Sequence, residues 1–183
     1  MLSELQLKNL HSMFDVLDHD SNGLIERKDL IAVSDGVSEV FDHDEASPHR
    51  AAMTQAYGAW WEQIRAGADA DGDDSVTRDE FVAAVDAGLL SDPAYLDVVA
   101  AAADTVFDAA DVDGDGVLNQ VEVVAVYSAA GASTAAAVGA FKQIDTNGDN
   151  RISREEWQNS VRGAFTSTGP DTPGSNMLGN AAN

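Results

Sequence analysis

Four stretches of twelve residues, 18–29, 69–80, 111–122 and 145–156, place side-chain oxygens at their first, third, fifth and twelfth positions. The third, DVDGDGVLNQVE, has the fullest set: Asp111, Asp113, Asp115, Asn119 and Glu122, with the carbonyl of Val117 at the seventh position. Carboxylates on alternate residues cannot enter an apolar core, so such a stretch must curl around something positive. A hard dication takes six to eight oxygens at about 2.3–2.6 Å, which a loop of this spacing supplies when alternate side chains turn inward. Gly116 allows the positive φ of the sharp bend. Glu122, already on the next helix, has the reach to offer both oxygens. One such stretch is compatible with a solvated acidic turn; four are not.

The other three vary the theme. The first stretch offers Asp18, Asp20, Asn22, the carbonyl of Leu24, Glu26 and Asp29. Aspartate at the twelfth place is one methylene shorter than glutamate, so a bidentate grip is harder to reach. Six-fold coordination is favoured, which suits Mg²⁺ as well as Ca²⁺. The second offers Asp69, Asp71, Asp73, the carbonyl of Ser75, Thr77 and Glu80, but Asp74 stands where glycine is expected. A left-handed aspartate costs on the order of 1 kcal/mol. The fourth offers Asp145, Asn147, Asp149, the carbonyl of Arg151, Ser153 and Glu156, with Asn150 at the bend. Asparagine tolerates that conformation well.

An apolar residue recurs at the eighth position: Ile25, Val76, Leu118 and Ile152. Among hydrated ligands it needs a reason, and a two-residue antiparallel bridge between neighbouring loops supplies one. The first loop is expected to pair with the second and the third with the fourth.

Helical spacing fills the intervals. Leu10, Met13, Phe14 and Leu17 follow a capping pattern at Ser3 and Gln6 and lead into the first loop; Leu30, Ile31, Val33 and Val37 leave it. Ser47 and Pro48 open a helix lined by Met53, Tyr57, Trp60 and Ile64, an aromatic stripe that belongs to a core. Phe81, Val82 and Val85 run to a stop at Gly88, and Ser91, Asp92 and Pro93 start a helix presenting Leu96, Val99, Val106 and Phe107. Val123, Val126 and Tyr127 precede a break at Gly131, a cap at Ser133, a helix with Val138, Phe141 and Ile144, and a last one with Trp157 and Val161. From Phe165 onward an extended tail is expected, with Met177 and Leu178 as its apolar anchors over a groove.

Thirty-two acidic residues against ten basic ones give a formal net charge of −22, which repels nucleic acid and anionic lipid and points to cations as the partners. With no cysteine there is neither a disulfide nor a thiolate metal site. The opening MLSELQLKNL has no basic segment followed by an apolar run, and no glycine follows Met1 for myristoylation, so an intracellular, cytoplasmic protein without membrane attachment is expected. His43 and His49 lie near Asp42, Asp44 and Glu45, but without helical spacing they read as part of a solvated acidic loop.

These loops resemble those of the EF-hand superfamily, and the chain as a whole resembles its sarcoplasmic calcium-binding and calerythrin-like branch. Three features carry the finer likeness: loop starts spaced by 51, 42 and 34 residues, the terminal Asp29, and a short turn at 91–93 between the halves. The resemblance covers about the first 165 residues. It implies an all-α protein of four EF-hands in two pairs, residues 1–90 and 91–165, packed into one compact globule with short antiparallel β-bridges and followed by a tail, 166–183. It further implies three to four Ca²⁺ ions, the second loop being in question because relatives often have a degenerate one there. The expected function is a monomeric, non-enzymatic Ca²⁺ or Ca²⁺/Mg²⁺ buffer. A sensor that opens an apolar groove to a target protein is the alternative, and a binder of an apolar small molecule in the core a third reading. Light-emitting four-loop relatives use His, Trp and Tyr around an internal ligand, whereas the histidines here, His11, His19, His43 and His49, all lie in the first half.

Overall fold

The computed structural model describes residues 4–166. Eight helices follow one another with a two-residue strand in each loop. Helix α1 (Glu4–Leu17), strand β1 (Leu24–Ile25) and α2 (Arg27–Val40) surround the first loop; α3 (Pro48–Ala68), β2 (Val76–Thr77) and α4 (Arg78–Asp86) surround the second. After a 3-10 turn (Leu89–Ser91) come α5 (Pro93–Ala110), β3 (Val117–Leu118) and α6 (Gln120–Ala129), then α7 (Thr134–Ile144), β4 (Ile152–Ser153) and α8 (Arg154–Thr166).

Local chemistry sets these boundaries. Pro48 and Pro93 occupy first helical turns, where the missing N–H costs nothing. Asp92 caps α5 by accepting the Ala94 N–H at 2.9 Å, and Ser133 caps α7 through the Ala136 N–H at 3.3 Å. Ser47 stands at the cap of α3, yet its side chain makes no capping bond. Gly88 and Gly131, at φ +111° and +79°, turn the chain after α4 and α6. The predicted tail lies outside the described residues except for its start, where α8 continues through 165 and 166 as helix. The Ser3 capping pattern lies outside them too.

Strands β1 and β2 pair antiparallel, Leu24 with Thr77 and Ile25 with Val76; β3 and β4 do likewise, Val117 with Ser153 and Leu118 with Ile152. The eighth-position side chains Ile25, Val76, Leu118 and Ile152 are all fully buried behind these bridges. The loops therefore pair as the sequence predicts.

One apolar cluster runs through both loop pairs. Helices α2 and α3 pack against α5, α2 also meets α6, and α5 lies along α8. At the centre Trp60 of α3 donates its indole N–H to the Tyr95 hydroxyl of α5 at 3.1 Å. Tyr95 is fully buried while Leu96 is only half-buried, so the inward face of α5 begins one residue earlier than its apolar spacing implies. His43 Nε2 lies 2.9 Å from the carbonyl oxygen of Ala109, so the acidic segment after α2 is tied to the end of α5.

Candidate metal centre

Each loop is held by the oxygen-bearing residues that its spacing singles out. The first carboxylate is the hub. Asp18 accepts the N–H groups of Asn22 and Gly23 at 3.0 and 2.8 Å, and Asp111 those of Asp115 and Gly116 at 3.1 and 3.0 Å. Asp69 accepts from Gly72 and Asp74, and Asp145 from Gly148, Asp149 and Asn150. At the third place Asp20, Asp71, Asp113 and Asn147 each take the N–H two residues on. At the fifth, Asn22, Asp73, Asp115 and Asp149 do the same for Leu24, Ser75, Val117 and Arg151, the residues whose carbonyls stand at the seventh place. Side chains that would otherwise splay into solvent are thereby kept folded toward the loop axis.

The ninth residue starts the exit helix and the twelfth closes the ring. Glu122 takes the Val112 N–H at 3.2 Å with one oxygen and the Asn119 N–H at 2.9 Å with the other, so a single carboxylate spans the loop from entry to exit. Glu80 does this with Ala70 and Thr77, and Glu156 with Thr146 and Ser153. Asp29 holds the exit side, taking the Glu26 N–H at 2.8 Å, but on the entry side it meets Asp20 at 3.4 Å in place of the second residue. That lopsided reach is the missing methylene made visible.

Carboxylate oxygens converge within 4.8 Å of one another in three groups among the described residues: Asp18, Asp20 and Asp29; Asp69, Asp71 and Asp73; Asp111, Asp113 and Glu122. In the fourth loop Asp145, Asn147, Asp149, Ser153 and Glu156 keep the same hydrogen-bond pattern, with an amide at the third place. No histidine belongs to these groups, and His43 and His49 stack on each other with ring centroids 4.9 Å apart.

Backbone conformation follows a rule of which spacing disclosed only the part at the sixth position. The sixth residue is left-handed in every loop, Gly23, Asp74, Gly116 and Asn150, as the bend requires. The fourth residue is left-handed as well: Ser21, Gly72, Gly114 and Gly148. Only the third loop has glycine at both places. Each of the others carries one non-glycine residue in a conformation that disfavours a Cβ.

Cations of the chain itself sit against the loop carboxylates. Lys28 Nζ lies 2.9 Å from Asp20 and 2.7 Å from Glu26, holding both carboxyls below their ordinary range while its own ammonium is pushed up by them. Arg151, from the fourth loop, reaches Asp115 of the third at 2.9 Å, and Arg65 of α3 reaches Asp74 at 3.1 Å. Burial raises the Asp29 carboxyl, whereas the Thr77 N–H and hydroxyl lower Glu80. For Glu156 burial is the largest influence and works upward, but the combined hydrogen bonds from Ser153 and Thr146 leave the carboxyl below its ordinary value.

A further pair of cations links the loops in each pair. Arg78 stacks over the Phe14 ring at 4.3 Å and pairs with Asp15; Arg154 stacks over Phe107 at 4.4 Å and pairs with Asp108. Both arginines hold the tenth place of an even-numbered loop, and both rings stand four residues before an odd-numbered one. The signal was present in the sequence as Phe-Asp at one repeat position and Arg at another, legible only once the pairing is known.

Twelve-residue oxygen rings between helices, joined in pairs by a short antiparallel bridge, define calcium-binding EF-hands. The family model described as an EF-hand domain pair matches residues 72–127, and the one described as an EF hand matches 138–161. The chain is a calcium-binding EF-hand protein. It is similar to calerythrin from Saccharopolyspora erythraea, 27% identical over 164 residues that cover 88% of this chain and 93% of calerythrin. In structure it resembles a calcium-binding protein of Streptomyces coelicolor, with a TM-score of 0.81, 26% identity, and coverage of 87% of this chain and 96% of the other. A sarcoplasmic calcium-binding protein from amphioxus shares the fold, with a TM-score of 0.75 over both whole chains at 19% identity.

Proposed function

We propose that all four loops hold divalent cations through the 24 oxygen-donor positions from Asp18 to Glu156 named above, and that the protein acts as a cytoplasmic, monomeric, non-catalytic calcium buffer. The pairs 1–90 and 91–165 are its two binding units. The observation that carries this reading is the apolar cluster shared between them. A sensor must expose a groove when it binds calcium, and such grooves are typically rich in flexible methionine. Here Met13 and Met53 are 2% and 0% exposed, packed inside the common cluster. Opening either pair would break the contacts of α2 and α3 with α5 and α6.

Asp29 favours a mixed Ca²⁺/Mg²⁺ site in the first loop, because its single firm contact on the exit side leaves an octahedral arrangement easier to satisfy than a seven-oxygen cage. The second reading is a regulator that opens on binding, supported by the structural neighbour from Streptomyces coelicolor, which is described in connection with prokaryotic calcium-mediated regulation. An environment-sensitive dye distinguishes the two. A buffer leaves dye fluorescence flat as calcium is added; a calcium-dependent rise, or calcium-dependent retention on a hydrophobic column, would overturn the buffer in favour of the regulator.

A further inference from the structure

Helices α4 and α8, which leave the even-numbered loops, each begin with an arginine, and the two arginines make matching contacts on the helix that enters the partner loop. Counted back from the first carboxylate of that loop, Asp18 or Asp111, the contacts fall four, three and seven residues earlier. Arg78 covers the Phe14 ring at 4.3 Å, pairs with Asp15 and donates to the His11 carbonyl oxygen at 3.1 Å. Arg154 covers the Phe107 ring at 4.4 Å, pairs with Asp108 and lies 3.5 Å from Asp104.

Both ends of this clasp sit beside oxygen-bearing loop positions. The arginine stands two residues before the closing carboxylate, Glu80 or Glu156, on the same first helical turn. The covered phenylalanine accepts, through its own carbonyl, the N–H of the first loop residue: Asp18 to Phe14 at 2.8 Å and Asp111 to Phe107 at 3.0 Å. A guanidinium and one backbone hydrogen bond thus join the last residue of one ring to the first residue of the other. The opposite arrangement is barred. Arg27 holds the tenth place of the first loop, but Arg65 stands four residues before the second, where its charge opposes an arginine; Gln120 at the tenth place of the third loop carries no charge. Each pair therefore has one clasp.

The bridge alone does not make a pair rigid. It joins two residues of one loop to two of the other, and a two-stranded ladder is only marginally stable by itself. It works as a pivot. A second attachment away from the pivot stops the helices turning about it, and a guanidinium suits that task because its flat face stacks on a ring while its fork holds a carboxylate. We propose that Arg78 and Arg154 are positioning residues that couple the two sites of each loop pair, acting in series with the bridge; this rests on the reading that the loops hold divalent cations. Coupling is reciprocal in free energy, so losing the clasp affects both members of a pair.

The test uses the full-length protein and its Arg78→Gln, Arg154→Gln and Arg27→Gln variants. The backbone N–H of each loop's sixth residue, Gly23, Asp74, Gly116 or Asn150, donates to that loop's first carboxylate, so its NMR resonance reports one site. In chelator-buffered calcium all four wild-type curves should be steeper than a single-site isotherm. Arg78→Gln should reduce only Gly23 and Asp74 to single-site steepness, and Arg154→Gln only Gly116 and Asn150. Arg27→Gln removes an arginine from the same loop place where there is no clasp, and should leave all four curves steep. Hydrogen exchange in calcium-free protein tests the link without the ion: the Asp18 N–H in Arg78→Gln and the Asp111 N–H in Arg154→Gln should exchange about tenfold faster than in wild type. Total bound calcium is measured on the same samples. A loop that takes up none contradicts the ion-holding reading, while exchange still judges the clasp. Steep curves retained in either clasp variant, wild-type curves no steeper than one site, or unchanged exchange would each overturn the proposal. Loss of steepness in Arg27→Gln would overturn it too, because the effect would then belong to the loop place and not to the clasp.

Discussion

At the scale of the residue, the loops differ chiefly in which positions bear left-handed strain. Ser21→Gly relieves a Cβ at φ +56° and should stabilise the protein by about 1 kcal/mol, read as a higher urea midpoint. Asp74→Gly gains less, because it also forfeits the Arg65 ion pair. In the third loop the argument reverses, and Gly114→Ala or Gly116→Ala should destabilise, since both positions are left-handed. Titration follows the hydrogen bonds. Glu80 and Glu156 sit below the ordinary value of 4.5 in the folded chain, so they contribute stability that is present above that pH and lost as pH falls through their lowered values. Metal-free protein should therefore weaken in acid, and Glu156→Gln should flatten that dependence. Asp29 has the opposite sign: burial raises its carboxyl, so protons compete with the ion at the first site. Calorimetry at pH 5 in two buffers of different ionisation enthalpy should detect proton release on calcium binding that disappears in Asp29→Asn.

At the scale of the element, the unit that matters is the loop pair. Leu118 and Ile152 are fully buried partners across the bridge between β3 and β4, so Ile152→Ala should cost about 2–5 kcal/mol and uncouple the third site from the fourth. Filling of the two sites would then fit two independent constants in calcium titration. The bridge was legible beforehand, because an apolar residue repeated at one fixed place among ligands has few other uses. Helix positions were legible for the same reason, their apolar faces recurring between loops. The helix-linking arginines were not. Arg78 over Phe14 and Arg154 over Phe107 join residues 64 and 47 positions apart, and nothing in either local stretch announces the partner. Lys28 was hidden differently: it is an ordinary surface lysine until Asp20 and Glu26 curl back toward it. Ser47 shows the converse, a residue of capping type at a capping position whose side chain does not cap.

At the scale of the whole molecule, the shared core ties the state of one loop pair to the other. Metal-free loops hold several carboxylates within a few ångströms, and the ion relieves their repulsion. Calcium at a hundred times its dissociation constant adds about 2.7 kcal/mol for each independent site, so chelation should lower the melting temperature in one cooperative step that both halves share. The Trp60 to Tyr95 contact, buried between α3 and α5, makes tryptophan fluorescence a reporter of that step. Sequence spacing disclosed the oxygen-bearing loop positions because each twelve-residue loop is nearly self-contained, whereas the pocket between the loop pairs arises only from how six helices meet. The central claim is that four rings of inward oxygens each cage a divalent ion. Isothermal calorimetry of calcium into the stripped protein, run beside Glu122→Gln, tests it most directly. The account predicts four calcium ions per wild-type chain and three in the variant; an unchanged stoichiometry in Glu122→Gln, or no retained metal at micromolar concentration in either protein, would contradict it.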